Sequence, residues 1–229
     1  MTKNLLSSAV FAGLIAGLIA ALLQFFFVIP LLLEGELYES GARLHFHADG
    51  TPSSDRGAPG LGGETGRHLM TIGFNLVTYT GYGLLMVAAM AFARERRGTE
   101  ITAQNGIIWG LAGFIAVQLA PAIGLPPELP GTPAAELGPR QVWWISTILA
   151  TAVGLALIAF GRSLLMHAVG LLVILAPQFV GAPHLDTFWG VAPPELSAEF
   201  ATQSLGFAAV GWVTLGYFCA FFLKQGEAE

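Results

Sequence analysis

Histidines and carboxylates concentrate between the apolar stretches of this sequence, where they could bind a transition metal. The segment RLHFHADG (43–50) places His45 and His47 one residue apart, so in an extended backbone both imidazoles point the same way. With Asp49 they offer the nitrogen and oxygen donors that suit Co²⁺, Ni²⁺ or Zn²⁺. The alternative is a pair of solvated loop histidines. The candidate metal ligands are His45, His47, His68, His184, Glu34, Glu36, Glu128 and Asp186.

A second set of polar residues lies inside the apolar stretches. Gln118 stands three residues before Pro121, and Gln178 directly follows Pro177. Because proline lacks an N–H, a helix carbonyl loses its usual donor, and a glutamine amide could satisfy that carbonyl or coordinate a passing ion. Glutamine and proline could equally do no more than cap a kinked helix. The candidate residues of a permeation path are Gln24, Gln118, Gln178, Asn75 and His167.

Composition indicates the solvent in which these residues must be held. The chain is 54% hydrophobic and 11% charged, whereas a soluble domain carries about 25% charged residues. It is therefore expected to be an integral membrane protein. No phosphate-binding G-x-x-x-x-G-K-[ST] loop, H-E-x-x-H or G-x-S-x-G motif occurs, so we expect neither ATP hydrolysis nor an enzyme. Basic residues are too few and too scattered for nucleic-acid binding.

Six apolar stretches predict an all-α, polytopic protein with a single transmembrane domain over residues 1–229. The predicted spans are about 5–33, 69–93, 105–124, 142–160, 164–181 and 203–223, each near the roughly 20 residues that a crossing requires. Only Gly161-Arg162-Ser163 separates the fourth span from the fifth, so five spans remain an alternative.

Loop charges predict that both termini are cytoplasmic. The short segments on that side carry Lys3, Arg94, Arg96, Arg97, Arg162 and Lys224, which is the positive-inside pattern. Residues 34–68, 125–141 and 182–202 are then outside. The outer loop 34–68 contains a Gly/Pro/Ser-rich stretch (49–63) that indicates a flexible linker.

A repeated motif predicts that the six helices form three parallel two-helix units. LAPAIGLPPELPG (119–131) and LAPQFVGAPHL (175–185) both predict a proline-broken helix exit on the outer side. Near the first span, the order glutamine, proline and acidic residue occurs in Gln24, Pro30 and Glu34. The same order occurs in Gln118, Pro121 and Glu128. Transporters built from parallel repeats bind their substrate where the repeats meet.

A regular small-residue face marks the first span. Ala9, Gly13, Gly17 and Ala21 recur every fourth residue, a spacing that lets two helices approach closely in lipid. The contacting helix could belong to this chain or to a partner.

Several longer strings resemble the CbtA family of proposed bacterial cobalt transporter subunits. These are FAGLIAGLIAALLQFFFVIPLLLEGELYE (11–39), GLPPELPG (124–131), RQVWWISTILATAVGLALIAFG (140–161) and GAPH (181–184). The resemblance implies uptake of Co²⁺ linked to cobalamin synthesis, with no permanently bound cofactor, in the bacterial cytoplasmic (inner) membrane. It also implies a small single-span, histidine-bearing partner of the CbtB type. Family members are often described with five spans.

These observations lead to one functional hypothesis and one alternative. The hypothesis is a subunit that moves a divalent transition metal inward, with outer ligands that concentrate the ion and glutamines near broken helix ends that line its route. The alternative is a membrane scaffold that transports nothing and stabilises a partner complex. Either protein contacts the lipid bilayer, and an oligomer is possible.

Overall fold

The computed structural model describes residues 2–51, 56–62, 65–187 and 189–226 of the chain. These residues are mostly helical and include no β-strand. Helix α1 (Thr2–Leu23) continues through a π-helical turn (Gln24–Val28) into α2 (Ile29–Glu39). Helix α4 (Ala103–Phe114) continues likewise through a second π-helical turn (Ile115–Leu119) into α5 (Ala120–Ala122). The others are α3 (Thr65–Arg97), α6 (Leu137–Phe160), α7 (Leu164–Val180) and α8 (Pro194–Gln225).

Five helical stretches in the described residues are long and apolar enough to cross a membrane. They are Lys3–Glu39, Thr65–Arg97, Ala103–Ala122, Leu137–Phe160 and Pro194–Gln225. Helix α7 is apolar too, but its 17 residues fall just short of the roughly 20 that a crossing requires. The predicted all-α protein with five to six spans is confirmed.

Several helices extend beyond the apolar spans seen in the sequence. Residues 34–39 belong to α2 and residues 65–68 to α3, so the segment 34–68 that was predicted to be an outer loop is a loop only in its middle part. Helix α8 begins at Pro194, well before residue 203. Hydropathy marks only the part of a helix that lipid surrounds, whereas backbone hydrogen bonds continue through the charged residues beyond it.

The chain divides into two compact units, of which the first comprises Met1–Phe25, Leu61–Phe114 and Gly206–Glu229. In this unit α1 and α3 pack closely because small residues face each other. A Cβ on Gly13 would collide with the backbone of Thr80, and one on Gly17 would lie 3.0 Å from the Asn75 carbonyl oxygen. Gly106 of α4 and Gly216 of α8 are in contact in the same way.

The second unit comprises Phe26–Gly60 and Ile115–Leu205, and its main feature is the α6–α7 hairpin. The Ser163 hydroxyl caps α7 by accepting a hydrogen bond from the Met166 N–H. Gly154 and Gly170 let the two helices approach closely. A separate apolar cluster joins α2, the loop after α5 and the start of α8, and consists of Tyr38, Leu129, Leu196 and Phe200.

Each π-helical turn directly precedes a proline near the start of the next helix, Pro30 in α2 and Pro121 in α5. Since proline has no N–H, one carbonyl in each preceding turn lacks a backbone donor whichever register the helix follows. The expected break at Pro177 is different, because α7 continues through it to Val180. The proline there precedes the helix end by one turn, and its carbonyl accepts from both the Gly181 N–H and the Trp143 indole.

Candidate functional site

Two of the predicted permeation residues meet in the first unit. The Asn75 side-chain amide donates to Gln24 Oε1 at 2.9 Å and to the Thr71 carbonyl at 2.9 Å. Gln24 is the first residue of its π-helical turn, and Asn75 is buried. Both residues line an open groove of about 650 Å³ together with Thr71 and Phe74. The arrangement places the two side-chain amides beside an open groove whose lining also includes the apolar side chains of Met70 and Phe74.

A third permeation candidate satisfies a backbone carbonyl in the second unit. Gln178 Nε2 donates to the Ala120 carbonyl at 2.9 Å, directly before Pro121. The Ala120 carbonyl also accepts from the Ile123 N–H, so the amide adds a second hydrogen bond there, one residue before the proline. Gln118 lies half-buried in the adjacent π-helical turn, whereas His167 is exposed on the first turn of α7, with Nε2 3.3 Å from the Gly161 carbonyl.

Glu34 is engaged by an arginine. It is only 9% exposed on α2, and its Oε1 lies 2.9 Å from Arg43 Nη1. The Gly57 N–H donates to the same oxygen at 3.2 Å, while Arg43 Nη2 donates to the Gly57 carbonyl at 3.0 Å. The Arg43 guanidinium also lies over the ring of Tyr38. A metal that bound Oε1 of Glu34 would have to displace this arginine.

Glu128 is engaged in the same way, because Arg140 Nη2 donates to its Oε2 at 2.7 Å. This ion pair joins the proline-rich loop after α5 to the first turn of α6. Glu36 is half-buried on α2. The carboxylates proposed as ligands therefore include two that already neutralise an arginine.

The histidines do not form a shared site. The backbone turns directly after His47, whose N–H donates to the Thr51 carbonyl and whose carbonyl accepts from the Gly50 N–H. Asp49 accepts from the Thr51 hydroxyl and N–H, which lowers its pKa. The His45 ring packs on Phe46, and its Nδ1 is buried with no hydrogen-bond partner.

The remaining predicted ligands each have their own surroundings. His68 lies on α3, where its Nε2 is 2.8 Å from the Leu61 carbonyl and its ring meets Phe25 edge-on. His184 and Asp186 are exposed before α8. Over the described ranges, no three His, Cys, Asp or Glu side chains come together as a metal site would require.

The structure contains one polar group that was not predicted from the sequence. Near the N-terminal end of α8, Gln203 Nε2 donates to Glu199 Oε1 at 3.1 Å, and Arg56 lies 3.5 Å from the other carboxylate oxygen. Gln203 Oε1 and the Ser204 hydroxyl are buried without hydrogen-bond partners. The four-residue spacing of Glu199 and Gln203 could have indicated this group. Hydropathy hid it, because it assigned Glu199 to a loop and Gln203 to a span.

The small-residue face of α1 is covered within the chain. Ala9 is fully buried beside Gly83 of α3, Gly13 and Gly17 contact α3 as described, and Ala21 is 2% exposed. The face thus packs on α3, and a partner protein would need another surface.

The family comparison covers almost the whole chain. Residues 2–224 match the model of the family described as probable cobalt transporter subunit (CbtA). The chain belongs to the CbtA family. Membership makes it a subunit of a probable cobalt transporter, a multi-pass membrane protein with other subunits implied, and not a member of an enzyme family. No curated protein and no solved structure matches it.

The surface of this CbtA protein suits a bilayer. Many large apolar side chains on its helices are exposed, including Leu85 on α3 at 72% and Phe179 on α7 at 83%. Apolar exposure of this extent is unfavourable in water and expected in lipid.

The family description suggests Co²⁺ as the transported ion.

Proposed function

We propose that the chain is the membrane subunit through which Co²⁺ enters a bacterial cell for cobalamin synthesis. In this proposal the protein forms one transmembrane domain (1–229) in the cytoplasmic (inner) membrane, with both termini in the cytoplasm and six helices arranged as three two-helix units. Family membership and the lysines and arginines on the short segments support it. The π-helical turns before Pro30 and Pro121 support kinship of the first and third spans.

The observation that carries the transport role is the Gln24–Asn75 hydrogen bond beside an open groove. Buried amides in lipid are costly unless they bond to each other or to a permeating species. A side-chain amide oxygen that bonds to another amide can exchange that donor for a hydrated cation without leaving a charge behind. Such a ligand binds weakly, which conduction requires because the ion must also leave.

Gln178 and Gln118 would line a further part of the route. The Gln178 amide is bonded to the Ala120 carbonyl, and an ion could bind that carbonyl if the amide moved away. Unwound backbone next to a broken helix coordinates ions in other transporters. His167, exposed near the predicted cytoplasmic end, would then contact the ion as it leaves.

Outer residues would raise the local concentration of the metal before it enters. His45, His47, His68, His184, Glu36 and Asp186 supply donors or negative charge for this purpose. Oε1 of Glu34 and Oε2 of Glu128 would bind the metal only after Arg43 and Arg140 are displaced.

A small single-span, histidine-bearing partner of the CbtB type would complete the transporter. Few nitrogen ligands lie within the helices of this chain, which supports a need for such a partner. Its docking surface would be one of the exposed apolar helix faces, since α3 covers the small-residue face of α1.

Uptake of radioactive cobalt by cells that lack other importers tests the proposal. Gln24→Leu, Asn75→Leu and Gln178→Leu should each lower the maximal uptake rate, whereas Gln141→Leu on the exposed side of α6 should not. A normal maximal rate in all three variants, at equal amounts of protein in the membrane, contradicts the route.

A non-transporting scaffold remains the second candidate, because the described residues hold no cluster of three His, Cys, Asp or Glu side chains. Expression of the partner alone separates the two roles. If the partner alone supports full cobalt uptake once its amount in the membrane is restored, the chain is a scaffold.

A further inference from the structure

Glu199 and Gln203 form a polar pair near the N-terminal end of α8 that the route described above does not use. They stand four residues apart, so their side chains lie on one face of the helix. The carboxylate is bound on both oxygens: Gln203 Nε2 lies 3.1 Å from Oε1, and Arg56 lies 3.5 Å from Oε2. Both residues belong to the second unit.

Only the NH₂ group of the Gln203 side-chain amide is hydrogen-bonded, and its oxygen is not. Its NH₂ bonds to Glu199, but Oε1 is buried with no hydrogen-bond donor. A buried amide oxygen without a donor is unfavourable. Rotation of the amide by 180° would place Oε1 beside the carboxylate, where a cation would have to lie between the two oxygens, and would move the NH₂ group to the buried position.

The counter-cation of Glu199 is weakly held. The Arg56 side chain is 84% exposed, and that of Glu199 is 39% exposed. An exposed ion pair of this kind contributes little and exchanges readily. A divalent ion can therefore replace Arg56 at the carboxylate, which it could not do as easily at Glu34, where two further hydrogen bonds hold the arginine and the carboxylate in place.

We propose that Glu199 and Gln203 bind a partly hydrated divalent cation, with one carboxylate oxygen and one amide oxygen as protein ligands. The site rests on the proposed function, in which it is the place where Co²⁺ is held before it enters the helices. An all-oxygen set with few protein ligands leaves most of the water shell in place. It binds weakly, as a transit site must. Ser204 points about 100° further around the helix and is not a ligand.

Titration of the purified protein in detergent with Co²⁺, followed by calorimetry, tests the site without any transport. Glu199→Gln should weaken Co²⁺ binding about tenfold or more, and Gln203→Leu should weaken it similarly, as expected for loss of a metal ligand or its support. Arg56→Gln should have the opposite effect and tighten binding about two- to fivefold, because it removes a competing cation from an exposed pair.

Two matched variants control for charge and for the loss of an amide. Glu195→Gln removes a carboxylate one turn earlier on the same helix, where the residue is exposed, and Gln141→Leu removes an exposed amide on α6. Both should bind Co²⁺ like the unaltered protein. Arg56→Gln changes an exposed side chain, so it still tests the site if a change on α8 prevents folding.

Three results would overturn the proposal: no saturable Co²⁺ binding by the unaltered protein, normal binding by folded Glu199→Gln, or weaker binding by Arg56→Gln. Cobalt uptake by cells separates this site from the proposed function. Normal uptake together with Glu199-independent binding rejects the site alone. No uptake together with Glu199-dependent binding rejects the transport function and supports the site.

Discussion

The tight contact between α1 and α3 makes Gly13 a sensitive position. A Cβ on Gly13 would lie 2.7 Å from the backbone nitrogen and 2.9 Å from Oγ1 of Thr80, and it would also collide with the Thr80 Cα. Since most of the obstacle is backbone, a change of rotamer cannot relieve it. Overpacking of this kind costs about 1–3 kcal/mol, and the rigid neighbour places Gly13→Ala at the upper end.

The gain in helix propensity reduces that cost only in part. Replacing glycine by alanine within a helix contributes about 1 kcal/mol, so Gly13→Ala should destabilise the fold by about 2 kcal/mol. At about 2–4 °C for each kcal/mol in a chain of this size, the thermal midpoint should fall by about 4–8 °C. Tryptophan fluorescence of the protein in detergent during heating measures this midpoint.

Gly81 on α3 provides the matched control, because a Cβ there would meet nothing within 4 Å. Gly81→Ala should leave the midpoint unchanged or raise it by about 2–4 °C through helix propensity. The reasoning is refuted if Gly13→Ala unfolds at or above the temperature of the unaltered protein. The larger pair Gly13→Leu and Gly17→Leu should abolish folding, and not partner binding alone.

Two further predictions concern capture and orientation. His45→Ala with His47→Ala should reduce uptake of radioactive cobalt at low concentration more than at high, because loss of a capture site weakens the apparent affinity for the metal. Unchanged uptake at the lowest concentration would exclude capture by these residues. Cys219 is the single cysteine of the chain and is replaced first, so that an introduced cysteine is the only thiol. Leu44→Cys should then react with an impermeant thiol reagent in intact cells, and Glu100→Cys should not. The opposite labelling pattern would reverse the orientation.

The helices were predictable because apolar runs of the right length have few other structures open to them in lipid. The α1 spacing likewise indicated a close-packed face, since spacing depends only on the geometry of one helix. Sequence could not say which helix covers that face, because the complementary residues on α3, Thr80 and Gly83, follow no visible pattern. Contacts between distant segments depend on how the helices are arranged in space.

The π-helical turns and the ion pairs were beyond the sequence for different reasons. A π-helical turn is a shift in hydrogen-bond register. The residues Gln24–Val28 and Ile115–Leu119 do not themselves require that shift, and the only sequence feature the two turns share is a proline two positions after each. The Glu34–Arg43 pair depends on a loop that folds back on α2. In the sequence, the same carboxylate is indistinguishable from a free metal ligand.

The arginine partners of Glu34 and Glu199 differ in how firmly they are held, which changes the prospects of the two carboxylates as metal ligands. Arg43 contacts Glu34 with its side chain 20% exposed, donates to a carbonyl and lies over an aromatic ring, so replacing it would break several contacts. Arg56 contacts Glu199 at 3.5 Å with its side chain 84% exposed. Whether a hydrated cation replaces an arginine depends on the free energy of all the contacts that the arginine makes, and not on charge alone. We therefore expect Glu34 to act mainly in holding the loop after α2 against that helix, and Glu199 to bind a cation more readily than Glu34 does.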